Sequence, residues 1–104
     1  MFQQTIEQGY ADELTVNLQD SGLLLDHPLG NILIEIGDLP LFFVTVERLQ
    51  SGESNEEVLE LNNGLFTFQD QGEQSFSILH ETGDRVVIST ETIDQWMPEI
   101  RNQL

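Results

Sequence analysis

Five short runs in this chain place apolar residues at every second position: "ELTVNLQD", "NILIEI", "LFTFQD", "QSFSILH" and "RVVIST". That period belongs to strands with one buried face. Turn chemistry punctuates the runs. Asp20-Ser21-Gly22 closes the first, Gly37-Asp38-Leu39-Pro40 follows the second, and Glu81-Thr82-Gly83-Asp84 joins the last two. Short strands joined by tight connections pair antiparallel. Ile32, Ile34 and Ile36 share one face of their strand. Phe66 and Phe68 share one face of theirs, with Leu65 and Thr67 opposite.

The stretch "LPLFFVTV", residues 39–46, is the least water-friendly in the chain. It reads as the second strand of a hairpin with "NILIEI". Phe42, Val44 and Val46 continue the isoleucine face, and Leu41, Phe43 and Thr45 lie opposite. A strand apolar on both sides expects cover on both. The C-terminal segment bearing Trp96 is the natural cover for Leu41 and Phe43; if it takes the other side, those two residues face a partner.

Helical spacing occurs in three places. Phe2, Ile6 and Tyr10 at i, i+4 suit a short helix ending near Gly9, with a continuous helix over 3–19 as its competitor. After the polar loop "SGESNEE", Ser54 and Glu57 match a capping box and open a helix through "NEEVLELNN"; a hairpin turning at Asn63-Gly64 is the alternative. Ile93, Trp96, Met97, Ile100 and Leu104 form an apolar stripe, with Thr92 and Gln95 as a capping box and Pro98 as an interruption. No internal repeat stands out. The expected fold is α+β: a small antiparallel sheet of four to six strands, a short N-terminal helix, a middle helix and a C-terminal amphipathic helix, in a single domain over 1–104.

Composition narrows the chemistry. Nineteen acidic residues against three arginines and no lysine give a net charge of −16. Anionic nucleic acid and anionic membrane surfaces repel such a chain, whereas basic partners are steered towards it. Excess acid also confers solubility by itself, and a salt-adapted composition would favour Asp, yet Glu outnumbers Asp here. The absence of cysteine excludes disulfides and thiol chemistry and fits a cytoplasmic location. No signal peptide and no membrane-spanning stretch are visible.

Enzyme signatures are absent: no phosphate-binding glycine loop, no nucleophile elbow, no zinc-binding helix motif. His27 and His80 lie 53 residues apart, and each reads as a surface or hydrogen-bonded structural histidine. Glu53, Glu56, Glu57 and Glu60 lack the fixed oxygen spacing and central glycine of a calcium loop, so they read as a solvated acidic face. No catalytic residue, cofactor or metal is expected. A small sheet with mixed faces expects completion against a second copy or a partner.

In layout, "GNILIEIGDLPLFFVTVE", "EEVLELNNGLFTFQDQGEQSFSILHETGDRVVI" and "TIDQWMPEIRNQL" resemble the strand–turn–strand, acidic helix with final strands, and terminal helix of class I type III secretion chaperones. The resemblance implies a small cytosolic protein that holds an unfolded segment of a secreted effector on apolar grooves of its sheet. Charge alone supports another reading: an acidic nucleic-acid mimic or immunity protein that blocks a basic nucleic-acid-binding protein or toxin. Either way the protein is expected to be non-enzymatic, with a basic or partly unfolded protein partner. The expected partner-binding residues are Leu41, Phe43, Phe66, Phe68, Glu53, Glu56, Glu57 and Glu60.

Overall fold

The computed structural model describes residues 2–72 and 74–103. Alternation builds two antiparallel four-stranded sheets. The first holds β1 (Phe2–Glu7), β2 (Glu13–Gln19), β3 (Gly22–His27) and β4 (Gly30–Glu35), each paired with the next. Helix α1 (Leu39–Gln50) follows. The second sheet holds β5 (Glu56–Leu61), β6 (Gly64–Gly72), β7 (Ser75–His80) and β8 (Arg85–Ser89), again in chain order, and helix α2 (Thr90–Gln103) closes the chain. The α+β class, the antiparallel pairing and the terminal helix are as expected.

Several finer expectations are corrected. Residues 2–7 form a strand, not a helix. Phe2 and Ile6 are four apart, a spacing that also places them on one face of a strand, and they pair across to Leu18 and Leu14. "LPLFFVTV" is the start of α1, not a strand. Leu39, Phe42, Phe43, Val46 and Leu49 fall at i, i+3, i+4, i+7 and i+10, all are buried, and that stripe outweighs the β preference of the single residues. Pro40 is tolerated because it sits in the first turn, where its missing amide would have no partner anyway.

"EEVLEL" is β5 rather than a middle helix; the hairpin alternative holds, with Leu61 facing Gly64 across Asn62 and Asn63. In α2 the cap lies three residues earlier than the Thr92–Gln95 box: the Ser89 hydroxyl accepts the Thr92 amide at 3.1 Å. The helix continues through Pro98. Leu104 lies outside the described residues.

The sheets therefore hold eight strands, and the order of elements repeats: ββββα, then ββββα. A short sequence echo marks the repeat: Leu23, Leu25, His27 and Gly30 correspond to Phe76, Ile78, His80 and Gly83. Each histidine ends the third strand of its half and bonds a carbonyl in that half's first connection. The His27 Nε2 meets the Ala11 carbonyl at 2.6 Å, and the His80 Nε2 meets that of Asn63 at 2.8 Å.

Those connections reach across to the other half. Gln8, after β1, bonds the outer edge of β8: its side-chain nitrogen donates to the Val87 carbonyl at 2.8 Å and its oxygen accepts the Ser89 amide at 2.9 Å. Asn63, after β5, donates to the Leu33 carbonyl on the outer edge of β4 at 2.9 Å. The β3–β4 turn meets the β7–β8 turn so closely that a side chain at Gly30 would lie 2.8 Å from the Arg85 nitrogen. One hydrophobic core joins both sheets and both helices, with Trp96, Phe42, Phe66 and Phe68 fully buried in it.

Candidate functional site: the outer face and free edge of the second sheet

The inward residues of the second sheet, Leu59, Leu61, Phe66, Phe68, Phe76, Ile78, Val86 and Ile88, join the core. Register then fixes what faces outward. One row across the sheet runs Glu56, Gln69, Ser77, Val87. The next runs Val58, Thr67, Leu79, Arg85, and beside it Glu60 faces Leu65. Three of these outward side chains are large, apolar and exposed: Val58 at 60%, Leu65 at 45% and Leu79 at 43%. Glutamates stand on both sides of Val58 along β5.

β5 is an outer strand of its sheet, and among the described residues β6 is the only element packed extensively against it. Main-chain groups of successive strand residues point to alternate sides. The Asp70 amide donates to the Asn55 carbonyl at 2.8 Å, so odd-numbered residues face β6 and Glu56, Val58 and Glu60 face away. Among the described residues, the Glu56 carbonyl takes the Ser54 hydroxyl at 3.0 Å, whereas the outward main-chain groups of Val58 and Glu60 have no partner.

The three arginines do little to offset the surrounding charge. Arg48 pairs with Glu57 at 3.0 Å and reaches Glu53 at 3.9 Å. Arg101 pairs with Glu47 and lies over the Phe43 ring, 4.9 Å from its centroid. Arg85 donates to the Gln71 side chain at 3.3 Å. Elsewhere, Glu7 and Glu13 face each other across β1 and β2. The hydrogen bond that protonated Glu13 donates to Glu7, with smaller contributions from desolvation and from the Glu7 charge, raises the Glu13 pKa above the ordinary glutamate value.

The expected partner-binding residues separate into three groups. Phe43, Phe66 and Phe68 are core: Phe43 is 5% exposed beneath Arg101, Phe66 stacks on His80 at 4.5 Å, and Phe68 packs against Phe42 at 6.0 Å. None of the three side chains is available to a partner: period two turns Phe66 and Phe68 inward from β6, and Phe43 lies on the buried stripe of α1. Leu41 is exposed at 42%, but on α1 beside Val44, not on the sheet. The glutamates divide too. Glu53 and Glu57 gather around Arg48, and the Glu57 Oε2 is buried without a partner. Glu56 and Glu60 stand together on the outward side of β5. Val58, Leu65 and Leu79 complete that face and were not singled out from sequence; the polar or aromatic neighbours between which they alternate were the available signal.

Both ring nitrogens of each histidine are engaged, His27 Nδ1 by the Leu29 amide at 3.2 Å and His80 Nδ1 by the Thr82 hydroxyl at 2.7 Å. Among the described residues no group of three His, Cys, Asp or Glu side chains is placed to hold a metal ion, and no helix is long and apolar enough to cross a membrane. Comparison with known proteins finds no matching family model, no matching curated protein and no matching solved structure.

Proposed function

We propose that this chain is a non-enzymatic acidic binding protein that holds a basic, partly unfolded polypeptide, as a secretion chaperone holds its effector in the cytosol. One observation carries the reading. An exposed apolar sheet face, Val58, Leu65 and Leu79, is bordered by Glu56 and Glu60 in a chain of net charge −16. Carboxylates steer a basic partner in, and the apolar face gives it something to bury that salt does not screen.

The test is a titration against two probes at low and high salt: an unfolded lysine- and valine-rich polypeptide, and a folded basic DNA-binding protein. The expected result is binding of the unfolded polypeptide that weakens with salt but persists. Binding of only the folded protein, abolished by salt, would move the assignment to a nucleic-acid mimic or toxin inhibitor. No association with either probe at low salt would remove the reading altogether.

A further inference from the structure

Four strands lie at the outer edges of the two sheets, and they are treated differently. β8 is closed by the Gln8 amide, and β4 is met by the Asn63 amide. β1 turns only polar residues, Gln3, Thr5 and Glu7, to the outward face beside its edge. Among the described residues, β5 alone combines unpartnered main-chain groups, at Val58 and Glu60, with an exposed apolar face continuing onto Leu65 and Leu79. An unpaired strand edge is a template for another strand.

Charge decides which strand. A second copy of β5 pairing antiparallel about Val58 would set Glu56 directly against Glu60 of the other copy, and like charges opposite one another are unfavourable. The same two glutamates favour a strand with basic residues at those positions. We infer that β5 receives an extended basic segment by strand addition, reading a pattern in which lysine or arginine, an apolar residue, and lysine or arginine occupy alternate positions. The apolar residue lies beside Val58 and its basic neighbours lie beside Glu56 and Glu60. The intervening residues turn towards the side of Leu59, which is only partly buried and packs at the margin of the core. Main-chain bonds to Val58 and Glu60 supply affinity independent of sequence, and the alternate side chains supply selectivity. This mode of binding rests on the reading of the protein as a holder of basic polypeptides.

The probe is a synthetic peptide, lysine-threonine-valine-threonine-lysine, which reads the same in both directions and so presents its pattern to a parallel or an antiparallel site. Binding is followed by the backbone amide shifts of β5. A peptide of the same composition with both lysines adjacent should bind up to about five-fold more weakly, the loss of one good cross-strand pair. Methylating the amides of the peptide that face β5 should abolish binding, while methylating the others should not.

Val58→Pro removes an amide that β6 does not use, and proline is tolerated at such an edge position. It should lower affinity at least ten-fold with the melting temperature unchanged. Glu56→Lys with Glu60→Lys should transfer the preference to a peptide with glutamates in place of lysines, which keeps the test open if the proline variant fails to fold. If the scrambled and methylated peptides bind as well as the parent, strand addition at β5 is wrong, although acidic capture of basic chains would stand. If neither this peptide nor polylysine binds at low salt, the underlying reading is wrong as well.

Discussion

Gln8 and Val87, 79 residues apart in sequence, are joined by a 2.8 Å hydrogen bond from the Gln8 side-chain nitrogen to the Val87 carbonyl. With the Ser89 amide donating to the other end of the same side chain, Gln8 supplies one rung of a ladder that no strand completes. Gln8→Ala removes both bonds and leaves two edge groups of β8 without their partner. The expected cost is about 1–3 kcal/mol in urea unfolding, with faster aggregation on heating.

Phe43→Ser and Leu41→Ser make a contrasting pair two residues apart on one helix. Phe43 is buried beneath Arg101, so its truncation should cost about 3–5 kcal/mol, a large share of the roughly 5–15 kcal/mol that a domain has in total. Leu41 is exposed on α1, and its replacement should stay within about 0.5 kcal/mol. Equal losses for the two variants would contradict this packing of α1.

Glu7 and Glu13 stand opposite each other at the end of the β1–β2 pair, and the Glu13 pKa is raised in the fold. A carboxylate with a raised pKa binds its proton more tightly folded than unfolded. Its contribution to stability is therefore fully present below the unfolded value and is lost as pH rises through the folded value. Glu13→Gln should melt higher than the parent at neutral pH. The difference should shrink as pH falls through the raised folded-state pKa towards the ordinary glutamate value and vanish below it. Thermal melts over a pH series, with Glu56→Gln as the unpaired comparison, check this.

His27 holds the Ala11 carbonyl with Nε2 and receives the Leu29 amide at Nδ1, which defines a neutral ring carrying its hydrogen on Nε2. His27→Leu keeps an apolar side chain of similar bulk but leaves both main-chain groups unpaired. Loss of about 1–3 kcal/mol for each group stranded away from water is expected. Amide hydrogen exchange should show the loosening first in the connection that carries Gln8.

β2, β4, β6, β7 and β8 are readable because each carries apolar core residues at alternate positions and at least one polar residue between or beside them, even where Leu33 or Val87 fills the opposite face. Those that were missed fail this condition in specific ways. "GLLLDH" hides its period, since Leu24 is apolar although it lies between the buried Leu23 and Leu25. β5 carries a solvent-facing valine between glutamates, a pattern that helices share. "LPLFFVTV" reads as a strand residue by residue, whereas Leu39, Phe42, Phe43 and Val46, continued by Leu49 beyond it, follow a helical stripe. The candidate site was half legible: Glu56 and Glu60 were named, but the phenylalanines of the same sheet point into the core. Which of Leu65 and Phe66 faces outward follows from what the helices cover, a tertiary fact. The repeat is faint in the sequence because the match between "GLLLDHPLG" and "SFSILHETG" slips by one residue in the strands that follow.

The exchange of side chains between the halves has a consequence for how the chain is made. Asn63, which meets β4, is synthesised well after β4 itself, and β8, which Gln8 protects, comes later still. A ribosome that has released the chain only as far as Gln50 therefore presents β4 bare and Gln8 idle. The edges are sheltered only once the second half has docked, so a pause in translation between α1 and β5 would be the moment of greatest exposure to misassembly.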